Sequence, residues 1–243
     1  MILSEKPYLV KITSNFDEVP SFKEYPYNLP AVRHLETLDF HPDVTFLVGE
    51  NGCGKSTIIE AIAQLLGFNP EGGNKNTQFS SRDTHSSLHR YLKVTKSFMK
   101  PKDSYFLRAE SFYNLASYMD DVGYLGGYGD KSLHQQSHGE SFMSVLSNKL
   151  RGQGLYLMDE PEAALSPMRQ MSALSLIHQL IQKKSQFIIA THSPILMAYP
   201  SAKIYCLSNS GIEETEYKQT EHYQITKNFL NSPERMIDIL CNE

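Results

Sequence analysis

The sequence predicts an α/β fold, a largely parallel sheet flanked by helices and carrying a small helical lobe. Three observations predict it. Residues 44–48 form an apolar β-like run that opens into Gly49-Glu50-Asn51-Gly52-Cys53-Gly54-Lys55-Ser56-Thr57, and a helical pattern follows over 58–66. Residues 155–158, Leu-Tyr-Leu-Met, form a second apolar run that stops at Asp159-Glu160. Residues 187–190, Phe-Ile-Ile-Ala, form a third, which delivers Thr191-His192. Short continuous apolar runs of this kind read as parallel strands buried on both faces, and the residues that end them meet at the sheet's carboxyl edge.

The remaining elements follow in order. Residues 8–12 read as an edge strand, and the proline-rich stretch 20–30 as a connector to a strand near 35–40. A helix is expected over 87–98, after a segment rich in Gly, Ser and Asn, and a strand over 105–110. A further helix is expected over 111–119, followed by Gly123, Gly126, Gly127 and Gly129. Ser166 and Pro167 form an N-cap and first-turn pair, after which Met171, Leu174, Ile177, His178 and Ile181 fall on one helical face that ends near Lys183 and Lys184. Strands near 204–207 and 212–217 complete the sheet, and helical patterns run over 224–230 and 233–240. The chain reads as one domain, 1–243, with residues of about 67–150 including the helical lobe.

The residue types in the three runs suit phosphate chemistry. A strand aimed at a helix N-terminus gathers backbone NH groups and the positive end of the helix dipole around one anion. Gly49, Gly52 and Gly54 permit the backbone conformations this needs, Lys55 brings a flexible point charge to the β and γ phosphates, and Ser56 offers a hydroxyl to magnesium. Thr57 suits the α phosphate or a turn cap. Asp159 suits a magnesium ion held through water and Glu160 the polarisation of an attacking water, while His192, ending a strand beside a phosphate loop, reads as functional and not merely structural. The chain is therefore expected to bind a nucleoside triphosphate.

Between the loop and the acidic run lie Gln135-Gln136 and then residues 137–141, Ser-His-Gly-Glu-Ser. With Asp159-Glu160-Pro161, the Ala-Ala-Leu-Ser-Pro run at 163–167 and Thr191-His192-Ser193-Pro194, this order resembles the nucleotide-binding domain of ABC-type ATPases over about residues 30–210. Within that superfamily it looks most similar to AAA-like predicted ATPases of the chromosome-maintenance branch. The resemblance implies a P-loop NTPase with an ABC-type core sheet and a small helical lobe, ATP and Mg2+ as cofactors, and hydrolysis of ATP. By that resemblance residues 49–57 are the Walker A loop, so that Glu50, Asn51 and Cys53 also line the nucleotide. Asp159 is the Walker B residue, Glu160 the catalytic glutamate, residues 163–167 the D-loop and His192 the switch histidine.

Ser137 and Gly139 then match signature residues that meet the γ phosphate on the opposite protomer, which implies an ATP-dependent head-to-tail homodimer acting on an unidentified effector. His138 stands where many members have glycine, and Ser166 where the D-loop usually has aspartate. Glu110 and Gln78 are the two candidates for the Q-loop. Arg33, Tyr25 and Tyr27 are candidates to stack on the base, against ordinary surface or packing roles.

Other readings stay open. The chain could be the nucleotide-binding subunit of a membrane transporter, or an ATP-dependent regulator of a nuclease, a toxin or a DNA-associated complex. The interval from Lys55 to Ser137 leaves no room for a long coiled coil. Arg82, Arg90, Lys93, Lys96, Lys100 and Lys102 form a local basic stretch, but a net charge of −4 makes a solvated face the better reading, so a nucleic-acid partner is unsupported.

With 243 residues, 40% of them hydrophobic and 21% charged, the chain can bury a sizeable core. It has no apolar run of about 18 residues and no leader-like start, so no membrane insertion and a cytoplasmic location are expected. Its three cysteines, Cys53, Cys206 and Cys241, lack metal-like spacing. Cys53, inside the loop and near Lys55, is either a small tolerated residue or a thiol of lowered pKa.

Overall fold

A computed structural model describes residues 7–19, 21–75, 86–111 and 137–242. Gln78, Arg82, Gln135, Gln136, the glycines at 123–129 and the helix expected over 111–119 lie outside these residues, apart from Ser111.

The three apolar runs become β3 (Val44–Gly49), β6 (Gly154–Asp159) and β7 (Gln186–Ala190), and every residue in them is buried. They lie in a six-stranded sheet with β5 (Asp103–Arg108), β8 (Lys203–Ser208) and β9 (Gly211–Thr215), in the order β5-β6-β7-β3-β8-β9. All pairings are parallel except β8 with β9. β3 stands between β7 and β8, so the loop that leaves it emerges beside the carboxyl ends of β7 and β6. Open α/β sheets bind ligands along that edge.

A second sheet of three strands corrects two expectations. β1 (Leu9–Ser14) is its middle strand and not an edge, flanked by β2 (Thr37–Asp39) and β4 (Leu92–Lys96). The helix expected over 87–98 is instead a single 3-10 turn, Ser87–Tyr91, followed by β4. Ser86 caps the turn by accepting from the Leu88 amide, and Val94 and Thr95 are β-branched residues that pair better along β1 than they wind. Gln186 ties the two sheets together. Its fully buried amide accepts from the Tyr8 and Leu9 NH groups and donates to the Leu9 and His41 carbonyls, all within 3.0 Å.

Helices cover both faces of the large sheet. On one face α2 (Lys55–Leu65) packs with α1 (Pro30–Arg33) and the small sheet around Ile58, Ile62, Leu9 and Ile12. On the other, α3 (His138–Ser144), α4 (Pro167–Gln182) and α5 (Pro194–Met197) enclose Phe142, Ile177, Tyr156 and Ile189. Ser166 caps α4 as expected, its side chain accepting from the Arg169 amide. The buried stripe of α4 is Gln170, Ala173, Ile177, Leu180 and Ile181, so the helix is turned slightly from the expected face and Met171 and His178 point outward. Two helices end the chain, α6 (Glu221–Asn231) and α7 (Pro233–Cys241).

Candidate functional site

The phosphate loop depends on glycine where the chain turns from β3 into α2. Gly54, the N-cap of α2, has φ +111°, and Gly49 has φ +143° with no room for a side chain, since a Cβ there would lie 2.1 Å from the Leu207 carbonyl oxygen. Lys55 is buried and its Nζ donates to the carbonyls of Gly49 (2.8 Å) and Glu50 (3.0 Å), which holds its charge over the loop. Cys53 is also buried, its Sγ 3.9 Å from that ammonium. A cavity of about 280 Å³ beside the loop is lined by Glu50, Asn51 and Gly52, by Ser208 at the end of β8, and by Glu221 and His222 of α6.

Asp159 and Ser56 come together from different elements. Ser56 Oγ donates to Asp159 Oδ1 at 3.0 Å. Burial pushes the Asp159 carboxyl up to about 7 despite the opposing pull of Arg108 and Ser56, so the ionised form is under-compensated within the chain. Two oxygens so disposed fit magnesium, which takes one or two side chains and fills its shell with phosphate and water. Among the described residues no group of three or more His, Cys, Asp or Glu could hold a metal ion.

The acidic corner continues through Glu160, whose φ +51° and ψ +51° are unusual for a residue with a Cβ. The corner is held because the Glu160 amide donates to the Ala190 carbonyl at 2.9 Å. His192 Nε2 lies 3.6 Å from Glu160 Oε1, is buried and has no hydrogen-bond partner. Burial depresses the His192 pKa, with Lys55 and His222 adding to the effect, so its neutral form is favoured.

Three residues of the site escaped the sequence reading. Glu162 accepts from the Thr191 hydroxyl at 2.7 Å and from the His192 amide, which locks the segment after β7 to the turn after β6. Burial raises its pKa. Its only sequence signal was a second acid two positions after Glu160. Arg108, in register with Asp159, pairs with Glu60 at 3.0 Å and Glu110 at 3.1 Å and sets its Nε 3.6 Å from Asp159 Oδ2. The third is His222, whose Nε2 lies 3.0 Å from His192 Nδ1.

The expected signature residues are brought elsewhere. Ser137 caps α3 in a capping box with Glu140, and Arg169 of α4 donates to both Ser137 Oγ (3.3 Å) and Glu140 Oε1 (3.4 Å). Gly139 is required by close packing, since a Cβ would lie 2.3 Å from an Arg169 guanidinium nitrogen and 2.8 Å from the Ala164 carbonyl oxygen. These residues therefore sit with the 163–167 segment, and the hydrogen bonds of Ser137 go to Glu140, Ser141 and Arg169 and not to the phosphate loop. Of the base-stacking candidates, Tyr27 is buried against Tyr91 and hydrogen-bonds Ser87, which makes it a core residue. Tyr25 is 59% exposed with its hydroxyl 3.3 Å from Thr57 Oγ1, beside the loop. Glu110 is an exposed partner of Arg108.

Known proteins resemble this chain in sequence and fold. A family model described as an AAA domain matches residues 22–120. A provisionally named ABC transporter ATP-binding protein of Methanothermobacter marburgensis is 28% identical over 73% of this chain and 71% of its own length. A cobalt import ATP-binding protein of Salmonella typhimurium is 27% identical over 76% and 74%. A solved Clostridium perfringens structure, part of an ABC transporter complex, superposes with a TM-score of 0.52 at 16% identity, covering 95% of this chain and 98% of that one. The phosphate loop, the acidic strand end and these likenesses meet in one conclusion: the chain has the fold of a P-loop ATPase and is similar in sequence to ABC-type ATP-binding proteins.

Proposed function

We propose that this chain hydrolyses ATP in a composite site closed by a second copy, and that the closure drives a separate membrane protein, so that it works as the ATP-binding subunit of a transporter. The observation that carries the hydrolytic half is the convergence of Lys55, Ser56, Asp159, Glu160 and His192 on one sheet edge, with Ser56 and Asp159 in contact. The named relatives support the transporter half, since each belongs by its name to such a system. They shift the balance from an unidentified soluble effector to a membrane component. No helix among the described residues is long and apolar enough to cross a membrane, so the membrane part would be another chain.

Each residue has a distinct task in this reading. The loop amides and Lys55 hold the β and γ phosphates. Ser56 and Asp159 would hold magnesium, which supplies charge neutralisation to the phosphates when bound. Glu160 orients and polarises the attacking water, and His192 donates from Nε2 to the γ phosphate as charge develops. Phosphoryl transfer gains most from positioning and electrostatic stabilisation, so a half-site open to water would be slow. Ser137 and Gly139 of the second copy complete it, with residues 137–149 belonging to the lobe of a single domain.

Mixing tests the composite site. Lys55→Ala has a dead loop and an intact signature, and Ser137→Ala the reverse. If sites form between copies, mixing two nearly inactive variants restores one working site per dimer and phosphate release recovers. A mixture as slow as its components would contradict the head-to-tail arrangement. The transporter half is tested by recovery of an epitope-tagged chain with the membrane fraction in an ATP-dependent manner. Exclusive recovery in the soluble fraction favours the second reading, an ATP-controlled regulator of a soluble complex, for which the AAA-domain match at 22–120 is the supporting observation.

A further inference from the structure

The His192–His222 contact carries an inference that rests on the role of His192 given above and extends it. His222 lies near the start of α6, far along the chain from the three apolar runs, and two separate contacts hold it in place. Thr220 caps the helix, its hydroxyl donating to the Tyr217 carbonyl at 2.7 Å and accepting from the Tyr223 amide. The Tyr217 hydroxyl donates to the Pro194 carbonyl at 3.0 Å, which fastens the start of α6 to the segment that carries His192. The two imidazoles stand with ring centroids 5.1 Å apart and planes tilted by 59°.

Only one proton arrangement suits the surroundings. One imidazole nitrogen must donate in the 3.0 Å contact between His192 Nδ1 and His222 Nε2. If His192 Nδ1 donated, neutral His192 would present a bare lone pair on Nε2, the buried atom 3.6 Å from the Glu160 carboxylate. Two acceptors would then face each other, with no proton between them. If His222 Nε2 donates, His192 carries its proton on Nε2 and presents an N–H to Glu160 and to any phosphate oxygen beside it. The hydrogen bond at one ring nitrogen decides what the other can do.

We propose that His222 is the positioning residue for His192, fixing the tautomer and ring orientation in which Nε2 can donate to the γ phosphate. It touches neither phosphate nor water in this role, and acts through His192 alone. Glutamine at 222 can place an amide N–H at about the reach of Nε2, whereas leucine fills the space without a donor.

The test combines NMR of the full chain, labelled with 15N-histidine, with steady-state turnover. In the wild type the His192 resonances, identified by their loss in His192→Ala, should show a neutral Nε2–H ring whose Nδ1 accepts a hydrogen bond. His222→Leu should convert that signature to a mixture of tautomers and lower kcat by about tenfold or more, the effect typical of removing the partner that orients a functional histidine. KM for ATP should stay near the wild-type value, and His222→Gln should recover most of the lost turnover. An unchanged tautomer in His222→Leu, wild-type turnover in that variant, or no recovery with glutamine would each overturn the inference while leaving the ATPase reading intact. Wild-type turnover in His192→Ala would overturn both.

Discussion

The nucleotide-facing half of the site and the signature segment are built in opposite ways. Lys55, Asp159, Glu162 and His192 are held by partners on other strands or by the loop itself, and Lys55 and Asp159 are almost wholly buried. Ser137, Glu140 and Arg169 are satisfied among two neighbouring helices, and the side chain of Glu140 is 56% exposed. The first half is pre-organised by the sheet. The second exposes Ser137 over a close-packed Gly139, and the side-chain hydrogen bonds given for Ser137, Glu140 and Arg169 stay within that segment. Under the composite site proposed above, this separation keeps the two halves apart until a second copy joins them.

Breaking the two halves should give different signatures. Lys55→Ala removes the cation proposed to hold the β and γ phosphates, and we expect turnover to fall by about 10³-fold, the scale of losing a principal electrostatic group, with weakened nucleotide binding by calorimetry. Gly139→Ala forces a Cβ against Arg169 and Ala164 without touching the loop. Turnover should fall by about 10- to 100-fold, as when a reacting geometry is displaced by an ångström, while nucleotide affinity of the isolated chain holds. Equal loss of affinity in both variants would erase the distinction.

Acid should also act on the two imidazoles beside the loop. Burial lowers the pKa of both His192 and His222 below the ordinary value of 6.5, and these rings face Lys55, Glu50, Glu160 and Glu221. At these two rings the unfolded chain binds more protons than the folded one below that value, so their contribution is fully present above pH 6.5 and is lost as pH falls through the folded values, while the raised carboxyls of Asp159 and Glu162 act in the opposite direction. The histidine part is isolated by difference: Tm of His222→Leu relative to the wild type, measured by scanning calorimetry, should rise as pH falls below 6.5. The smallest effect belongs to Ser166, whose cap on α4 has a long 3.4 Å bond. Ser166→Ala should cost about 1 kcal/mol in denaturant unfolding, and a cost several times larger would mean the 163–167 segment is tied to the core more firmly than its exposure suggests.

The same contrast explains what could be read in advance. Strands β3, β6 and β7 were legible because burial on both faces leaves continuous apolar runs, and the loop and acidic pair were legible because their chemistry sits at the ends of those runs. Segment 87–98 was not, since Leu88 and Leu92 stand four apart, as on a helix face, and Leu92 and Val94 two apart, as on a strand, until β1 supplies a partner. β1 itself looked like an edge because its second neighbour lies some 80 residues away in sequence. Arg108 and His222 enter the site through register and a helix cap, relations between distant segments that leave no local pattern. Glu162 was visible as an acid, but its role in holding Thr191 and His192 exists only once β6 and β7 lie side by side.

The central claim is that ATP joins two copies and that hydrolysis separates them. It is tested most directly by the solution mass of Glu160→Gln, measured by light scattering with and without magnesium ATP, beside a Lys55→Ala control. A doubling of mass on addition of nucleotide, absent in the control, is the predicted result. A Glu160→Gln chain that binds ATP at saturation and remains a monomer would contradict the account.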